Sequence, residues 1–186
     1  MPKKSMSPAV RFEPSLLQQA QPVRIVFLDV DGVLTDGGLQ FTEHGESMKR
    51  FNTLDGHGIK LLQKTGVVVA VVTGRDSAPL RLRLKQLGVE QVVYGTEDKV
   101  PAAQSILDTL GLTWSQAAMM GDDWPDLPVM QRCAFACAPS NAHPENLGVA
   151  DFVTSAKGGH GAVRELCDLL LVATGRYSEM LKAYQP

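Results

Sequence analysis

The sequence predicts an α/β fold, a parallel β-sheet covered by helices on both faces. Three observations lead to it. Short runs of β-branched and apolar residues recur at 23–29, 67–73, 91–94, 117–120 and 134–138. Between them lie segments whose apolar residues repeat at helical spacing, and strands joined through helices return to the same end of a sheet and pair in parallel. Three of the runs also stop at acidic or hydroxyl-bearing residues, and the carboxyl edge is where open sheets of this class carry their ligands. A chain of 186 residues suits one domain with a substantial core.

Residues 1–22 hold Pro2, Pro8, Pro14 and Pro22. They read as an N-terminal extension, poorly ordered and outside the fold, with a short helical turn near Leu16 and Leu17. The run from Val23 to Leu28 is apolar throughout except for Arg24, the pattern of a strand buried on both faces. Residues 37–42, a polar turn at 43–46 and residues 47–52 read as a β-hairpin inserted between the first strand and the first helix. Helices are expected at 54–64, 77–87, 99–110, 124–131 and 162–174, and a short further strand at 152–153. In the helix at 77–87, Leu80, Leu84 and Leu87 share a face, Asp76 or Ser77 serves as its cap, and Gly88 falls just past its end. Pro125 lies in the first turn of the helix at 124–131, where a missing N–H costs least. The domain is thus expected to span 23–175, followed by a tail at 176–186. Tyr177, Met180, Leu181 and Tyr184 in that tail recur on one helical face. Such a stripe either closes a neighbouring subunit's site or packs on its own subunit.

Charge is nearly balanced, with 18 Lys and Arg against 20 Asp and Glu, so neither a nucleic-acid face nor a membrane-binding patch is expected. The longest apolar run is six residues, far short of a membrane span. The first 22 residues lack the apolar segment of a secretory signal. Cys133, Cys137 and Cys167 form an odd set without zinc-type spacing, and are expected to be buried, reduced thiols in a cytoplasmic protein.

Asp29 and Asp31 stand where the first strand ends. Paired carboxylates there repel each other and lose hydration, which a fold does not gain by. A divalent cation offsets that cost, and a hard ion such as Mg²⁺ selects carboxylate and carbonyl oxygens. Thr73-Gly74-Arg75 follows the run at 67–72, Lys99 opens a helix, and Gly121-Asp122-Asp123-Trp124-Pro125-Asp126 follows the run at 117–120. The ordered series of paired Asp, hydroxyl, Lys and acidic cluster resembles the four-motif signature of the haloacid dehalogenase-like (HAD) phosphohydrolases, and implies their Rossmann-like sheet. The 41 residues between Asp31 and Thr73 and the 25 between Thr73 and Lys99 are already occupied by the elements above. Neither interval holds a lid domain, since below ~40 residues a domain needs extra staples, so a capless fold is expected.

The resemblance implies roles. Asp29 is the nucleophile, forming an aspartyl-phosphate, and Asp31 is the general acid and base. Asp29, the backbone carbonyl of Asp31, and Asp122 hold Mg²⁺, while Asp123 and Asp126 orient ligands from behind. Thr73 and the N–H of Gly74 hold phosphoryl oxygens, and Lys99 offsets the charge of nucleophile and phosphoryl group.

Within that superfamily the chain is most similar to the 3-deoxy-D-manno-octulosonate 8-phosphate (KDO 8-phosphate) phosphatases. The likeness rests on Asp29 to Gly37, on Phe51-Asn52 followed by Asp55-Gly-His-Gly58, on Ala142-His-Pro144, and on Gly158-Gly-His-Gly-Ala-Val-Arg-Glu165. It implies a sugar-acid phosphate substrate in lipopolysaccharide precursor synthesis and a homotetramer whose hairpins and tails close neighbouring sites. Arg75 then suits the substrate's carboxylate, since its planar fork matches that group; pairing with Asp76 is the structural alternative. Two other readings stay open: a phosphatase for a related nine-carbon sugar acid, and a phosphorylatable signalling module that does not turn over.

Overall fold

In the computed structural model, which describes residues 8–184, the apolar runs become one parallel six-stranded sheet. Its strands are β1 (Ile25–Leu28), β4 (Val68–Val72), β5 (Gln91–Val93), β6 (Ala117–Met120), β7 (Phe135–Ala138) and β8 (Phe152–Val153), in the order β5-β4-β1-β6-β7-β8. The chain builds outward from β1 on one side, then returns to add β6 on the other. Successive side chains alternate between the two faces, as strand geometry requires. Val26, Leu28, Val69, Val71, Ala118 and Met120 enter one core. Ile25, Phe27, Ala70, Val72, Ala117 and Met119 enter the other.

The first core is covered by α2 (Thr53–Gln63), α3 (Ala78–Leu87) and α7 (Ala162–Ala173), and the second by α4 (Lys99–Leu110), α5 (Leu127–Met130) and α6 (Pro144–Val149). The stretch expected as a helix at 124–131 is a 3-10 turn, Trp124–Asp126, running into α5; Pro128 removes an N–H that a continuous helix would use. Ser77 stands at the N-cap of α3, yet its side chain makes no capping bond, and Asp76 instead takes Arg81 at 2.6 and 2.7 Å. Gly88 ends α3 at φ +70°, as the helix-stop reading requires. Cys133, Cys137 and Cys167 are free thiols, the last two buried and Cys133 half-buried. No helix among the described residues is long and apolar enough to cross a membrane.

The hairpin after β1 forms, with strands shorter than expected: β2 (Gln40–Thr42) and β3 (Gly45–Met48) pair antiparallel around Glu43 and His44.

One expectation is corrected. Residues 8–22 are not an extension outside the fold: α1 (Pro14–Ala20) lies along α7, Ala20 and Val23 are fully buried, and Leu16 and Leu17 pack on the first core. Phe12 meets Phe152 edge to face, with centroids 6.0 Å apart. The proline run misled because Pro14 is the first residue of α1, a position that favours it. Residues 1–7 lie outside the described residues. The tail's contacts lie within its own chain. In this chain α8 (Tyr177–Lys182) turns back on its own subunit, with Tyr177 and Met180 against the first core and Tyr184 edge to face with His57 at 5.6 Å. The apolar stripe thus leans on its own subunit without being covered, Tyr184 remaining 58% exposed.

Deleting residues 1–21 should lower unfolding free energy by about 2 kcal/mol or more, the scale of one large buried apolar side chain. A denaturant titration of the shortened chain measures it, and an unshifted midpoint would return α1 to the status of an appendage.

Candidate active site

The site forms where three strands end. Asp29 directly follows β1, and its N–H donates to the carbonyl of Met120 on β6 at 3.1 Å. Thr73 directly follows β4; its N–H donates to Val93 at 3.0 Å and its carbonyl accepts from Thr96 at 3.1 Å. The Thr73 Oγ1 accepts the N–H of Arg75 at 3.2 Å, leaving its own O–H to donate elsewhere. The cleft between these ends is about 440 Å³ and is lined by Asp29, Asp31, Thr73, Gly74, Arg75, Glu97, Lys99, Asp123, Pro125 and Asp126. Glu97 is an addition to the residues the sequence singled out, and no sequence pattern marks it; Pro125 belongs to the motif at 121–126.

Lys99 holds the centre. Its Nζ lies 2.5 Å from Asp29 Oδ1 and 2.6 Å from Asp126 Oδ1, and its side chain is 4% exposed. Asp126 Oδ2 accepts the N–H groups of Asp122 at 3.0 Å and Asp123 at 3.4 Å, so one carboxylate fixes both the Lys99 ammonium and the loop after β6. Asp123 in turn caps the 3-10 turn through the N–H of Trp124 at 2.9 Å. From the other side, the carbonyl of Asp122 accepts the N–H of His143 at 2.8 Å.

Asp29, Asp122 and Asp126 each offer an oxygen within 4.8 Å of the others. That donor set contains only carboxylate oxygen, which suits a hard divalent cation and not zinc. Both Asp126 oxygens are already engaged, which leaves Asp29 and Asp122 as the freer donors. The Asp31 side chain stands outside this group. It meets Lys49 of the hairpin and, at 3.7 Å, the Nε of Arg75. Arg75 therefore leans toward Asp31 in the cleft and leaves Asp76 to Arg81.

Two glycines make room for these groups. A Cβ on Gly32, whose φ is +102°, would fall 2.0 Å from Asp122 Oδ2. A Cβ on Gly158 would fall 1.7 Å from the carbonyl oxygen of Gly32, while the N–H of Gly159 donates to Val33 at 3.0 Å. The loop carrying Asp31 is thus seated directly on the stretch 158–159. Other segments of the family-like pattern hold the scaffold. Asp55 accepts the N–H groups of Gly161 at 3.3 Å and Arg164 at 2.8 Å, capping α7, and Gly58 lets α2 approach Arg164 and Cys167 closely.

Electrostatically the site is under load. Burial, then repulsion from Asp126, raises the Asp29 carboxyl to about 7 in spite of Lys99. Burial, then Asp29 and Asp126, raises Asp122 to about 8. Burial works against the Lys99 charge too, but its two carboxylate partners outweigh it and hold the ammonium above its ordinary range. A divalent cation between Asp29 and Asp122 would relieve the repulsion that lifts them.

Comparison with known proteins follows the same lines. Residues 91–166 match the haloacid dehalogenase-like hydrolase family. The chain is 39% identical over 166 residues to the 3-deoxy-D-manno-octulosonate 8-phosphate phosphatase KdsC of Salmonella typhimurium, covering 89% of this chain and 88% of that protein. The chain belongs to the KDO 8-phosphate phosphatase family. It is accordingly a HAD-type phosphoric monoester hydrolase. The family's crystal structures share its fold. That of the Yersinia pestis phosphatase superimposes with a TM-score of 0.86 at 40% identity, covering 89% of each chain. That of the Moraxella catarrhalis phosphatase, in complex with magnesium, phosphate and KDO, gives 0.89 at 34% identity, covering 92% of this chain and 98% of that one.

The raised carboxyls fix the sign of a pH effect. A folded-state pKa above the unfolded value means that the native state binds more protons, so stability falls as pH rises between the two values. Chelator-treated protein should therefore lose thermal stability from about pH 4 to about pH 8, starting from the unfolded Asp range of about 3.9, and saturating Mg²⁺ should flatten that slope. Melting curves across the range test it; a metal-free midpoint that holds constant or climbs toward pH 8 contradicts the arrangement.

Proposed function

We propose that this chain is a Mg²⁺-dependent sugar-acid phosphate phosphatase whose substrate is KDO 8-phosphate, hydrolysed to KDO and phosphate in lipopolysaccharide precursor synthesis. One arrangement carries the reading: Asp29, buried against Lys99, with Asp31 beside it in the same cleft of a chain of this family. A carboxylate oxygen of Asp29 bonds to phosphorus as the phosphorus–oxygen bond to the sugar breaks, and Asp31 gives its proton to the departing oxygen. Water then attacks phosphorus, Asp31 takes the water's proton, and the bond to Asp29 breaks to release phosphate. Lys99 offsets the charge that the nucleophile and the phosphoryl group bring together. The hydroxyl of Thr73 and the N–H of Gly74 hold phosphoryl oxygens.

Asp29, Asp122 and the backbone carbonyl of Asp31 would hold Mg²⁺, with Asp123 and Asp126 orienting them. The ion supplies charge neutralisation at the phosphoryl oxygens when bound. Arg75, exposed at the cleft wall, presents a planar cation to the substrate's carboxylate. The Moraxella catarrhalis phosphatase, solved in complex with magnesium, phosphate and KDO, supports the choice of metal and of sugar acid. The same reading makes the protein cytoplasmic and homotetrameric. Leu39, Phe41 and Met48, exposed on and beside the hairpin by 40, 61 and 58%, support burial against another copy over the uncapped cleft.

Purified protein assayed against KDO 8-phosphate, a nine-carbon sugar-acid phosphate and p-nitrophenyl phosphate should show its highest kcat/KM on the first. Exhaustive chelation should abolish turnover and Mg²⁺ should restore it; full activity without metal would overturn the cofactor assignment, and preference for the nine-carbon acid would reassign the substrate.

Asp29→Asn should eliminate turnover with the fold intact, because the amide keeps the shape and is a far poorer nucleophile. Asp31→Asn should slow turnover and let phosphorylated protein accumulate, detectable by intact mass. Near-normal kcat in Asp29→Asn would remove it as nucleophile.

A further inference from the structure

The hairpin has almost no packed surface of its own. All of β2 is exposed, as is the end of β3, and Phe41 and Met48 face outward. Against that background one side chain is withdrawn from water: Lys49, just after β3, is 0% exposed along its side chain. Lysine is among the residues least often buried, since its long stem lets the ammonium reach water, and a buried ammonium needs paired anions. Lys49 has two. Its Nζ pairs with Asp31 Oδ1 and with Glu46 Oε1 at 2.6 Å, and Glu46 is itself only 8% exposed. The hairpin is held at its root by Arg50, which donates to Asp36 Oδ2 at 2.8 Å.

The consequence falls on Asp31. A short carboxylate at the edge of an open cleft turns freely, whereas a general acid must present one oxygen within hydrogen-bond reach of the leaving group. Here Oδ1 is taken by Lys49, and among the described residues the cation paired with Oδ2 is Arg75, at 3.7 Å. Oδ2 is thus the oxygen free to carry the proton toward the cleft.

We infer that Lys49 is a positioning residue: the hairpin places its ammonium on Asp31 Oδ1 and thereby fixes Oδ2 for proton transfer to the leaving oxygen. The inference rests on the reading of Asp31 as acid and base. It gives the hairpin a part in the chemistry of its own chain, separate from any role as a contact between copies.

Phenyl phosphate and p-nitrophenyl phosphate separate this from a structural role. The two esters have nearly the same shape, but phenolate is the poorer leaving group and depends more on the acid. Their kcat/KM reports transfer to Asp29, before the common intermediate. General acid catalysis supplies about 10²–10⁴-fold, so Lys49→Met should lose at least about 10-fold more on phenyl phosphate than on p-nitrophenyl phosphate. Lys49→Arg, which keeps a cation, should recover most of that difference. Asp31→Asn serves as the reference and should show the same contrast. If it does and Lys49→Met loses both substrates equally, or neither, the inference about Lys49 is overturned while the acid/base assignment stands. If Asp31→Asn shows no contrast, the acid/base assignment fails and the inference goes with it. Circular dichroism checks folding, and Lys49→Gln repeats the comparison if Lys49→Met does not fold.

Discussion

The pairing of Lys99 with Asp29 and Asp126 is the constraint on which the rest of the site depends. All three side chains are withdrawn from water, and each is tolerable there only because of the others. Removing one partner of a buried ion pair costs about 3–5 kcal/mol, because the remaining charge is left without compensation. The triad also links separate parts of the chain: the end of β1, the start of α4 and the loop after β6. Asp126 extends it, since its second oxygen binds the N–H groups of Asp122 and Asp123. The catalytic edge of the sheet is therefore held by charge as much as by the apolar cores beneath it.

The load on Asp29 and Asp122 belongs to the same arrangement. The chain places three carboxylates within 4.8 Å and supplies one ammonium. That imbalance leaves the carboxylates repelling one another, and a divalent cation would relieve it. Strain of this kind is common where function requires groups that a fold on its own would keep apart.

The sheet and its helices were legible because their signals are local. The alternation of apolar runs with helical stripes survives in the structure, and α4 begins at Lys99 and ends at Leu110 as its sequence indicated. The acidic and hydroxyl-bearing residues at the ends of β1, β4 and β6 were legible for the same reason. What the sequence did not show depends on tertiary contact. Four prolines in 1–22 suggested a loose extension, yet burial of Ala20 and packing of Leu16 and Leu17 make α1 part of the core. The stripe at Tyr177 and Met180 is real, but nothing local says which surface it meets. Lys49 lies in a polar stretch without periodicity, and only the fold brings it to Asp31. Glu97 reaches the cleft through the loop between β5 and α4, whose path no motif encodes.

The seating of Gly158 under Gly32 has a consequence for how the enzyme comes into being. The loop that carries Asp31 is synthesised well before the residues it rests on, which come just before α7. A domain folds as a unit, and distant partners cost loop-closure entropy until they arrive. The loop with Asp31 therefore takes its final shape only when α7 docks and brings stretch 158–159 beneath it. A product truncated before that point carries Asp29 and Asp31 without the floor that orders them. Synthesis through α7 and ordering of the loop that carries Asp31 are in this way coupled.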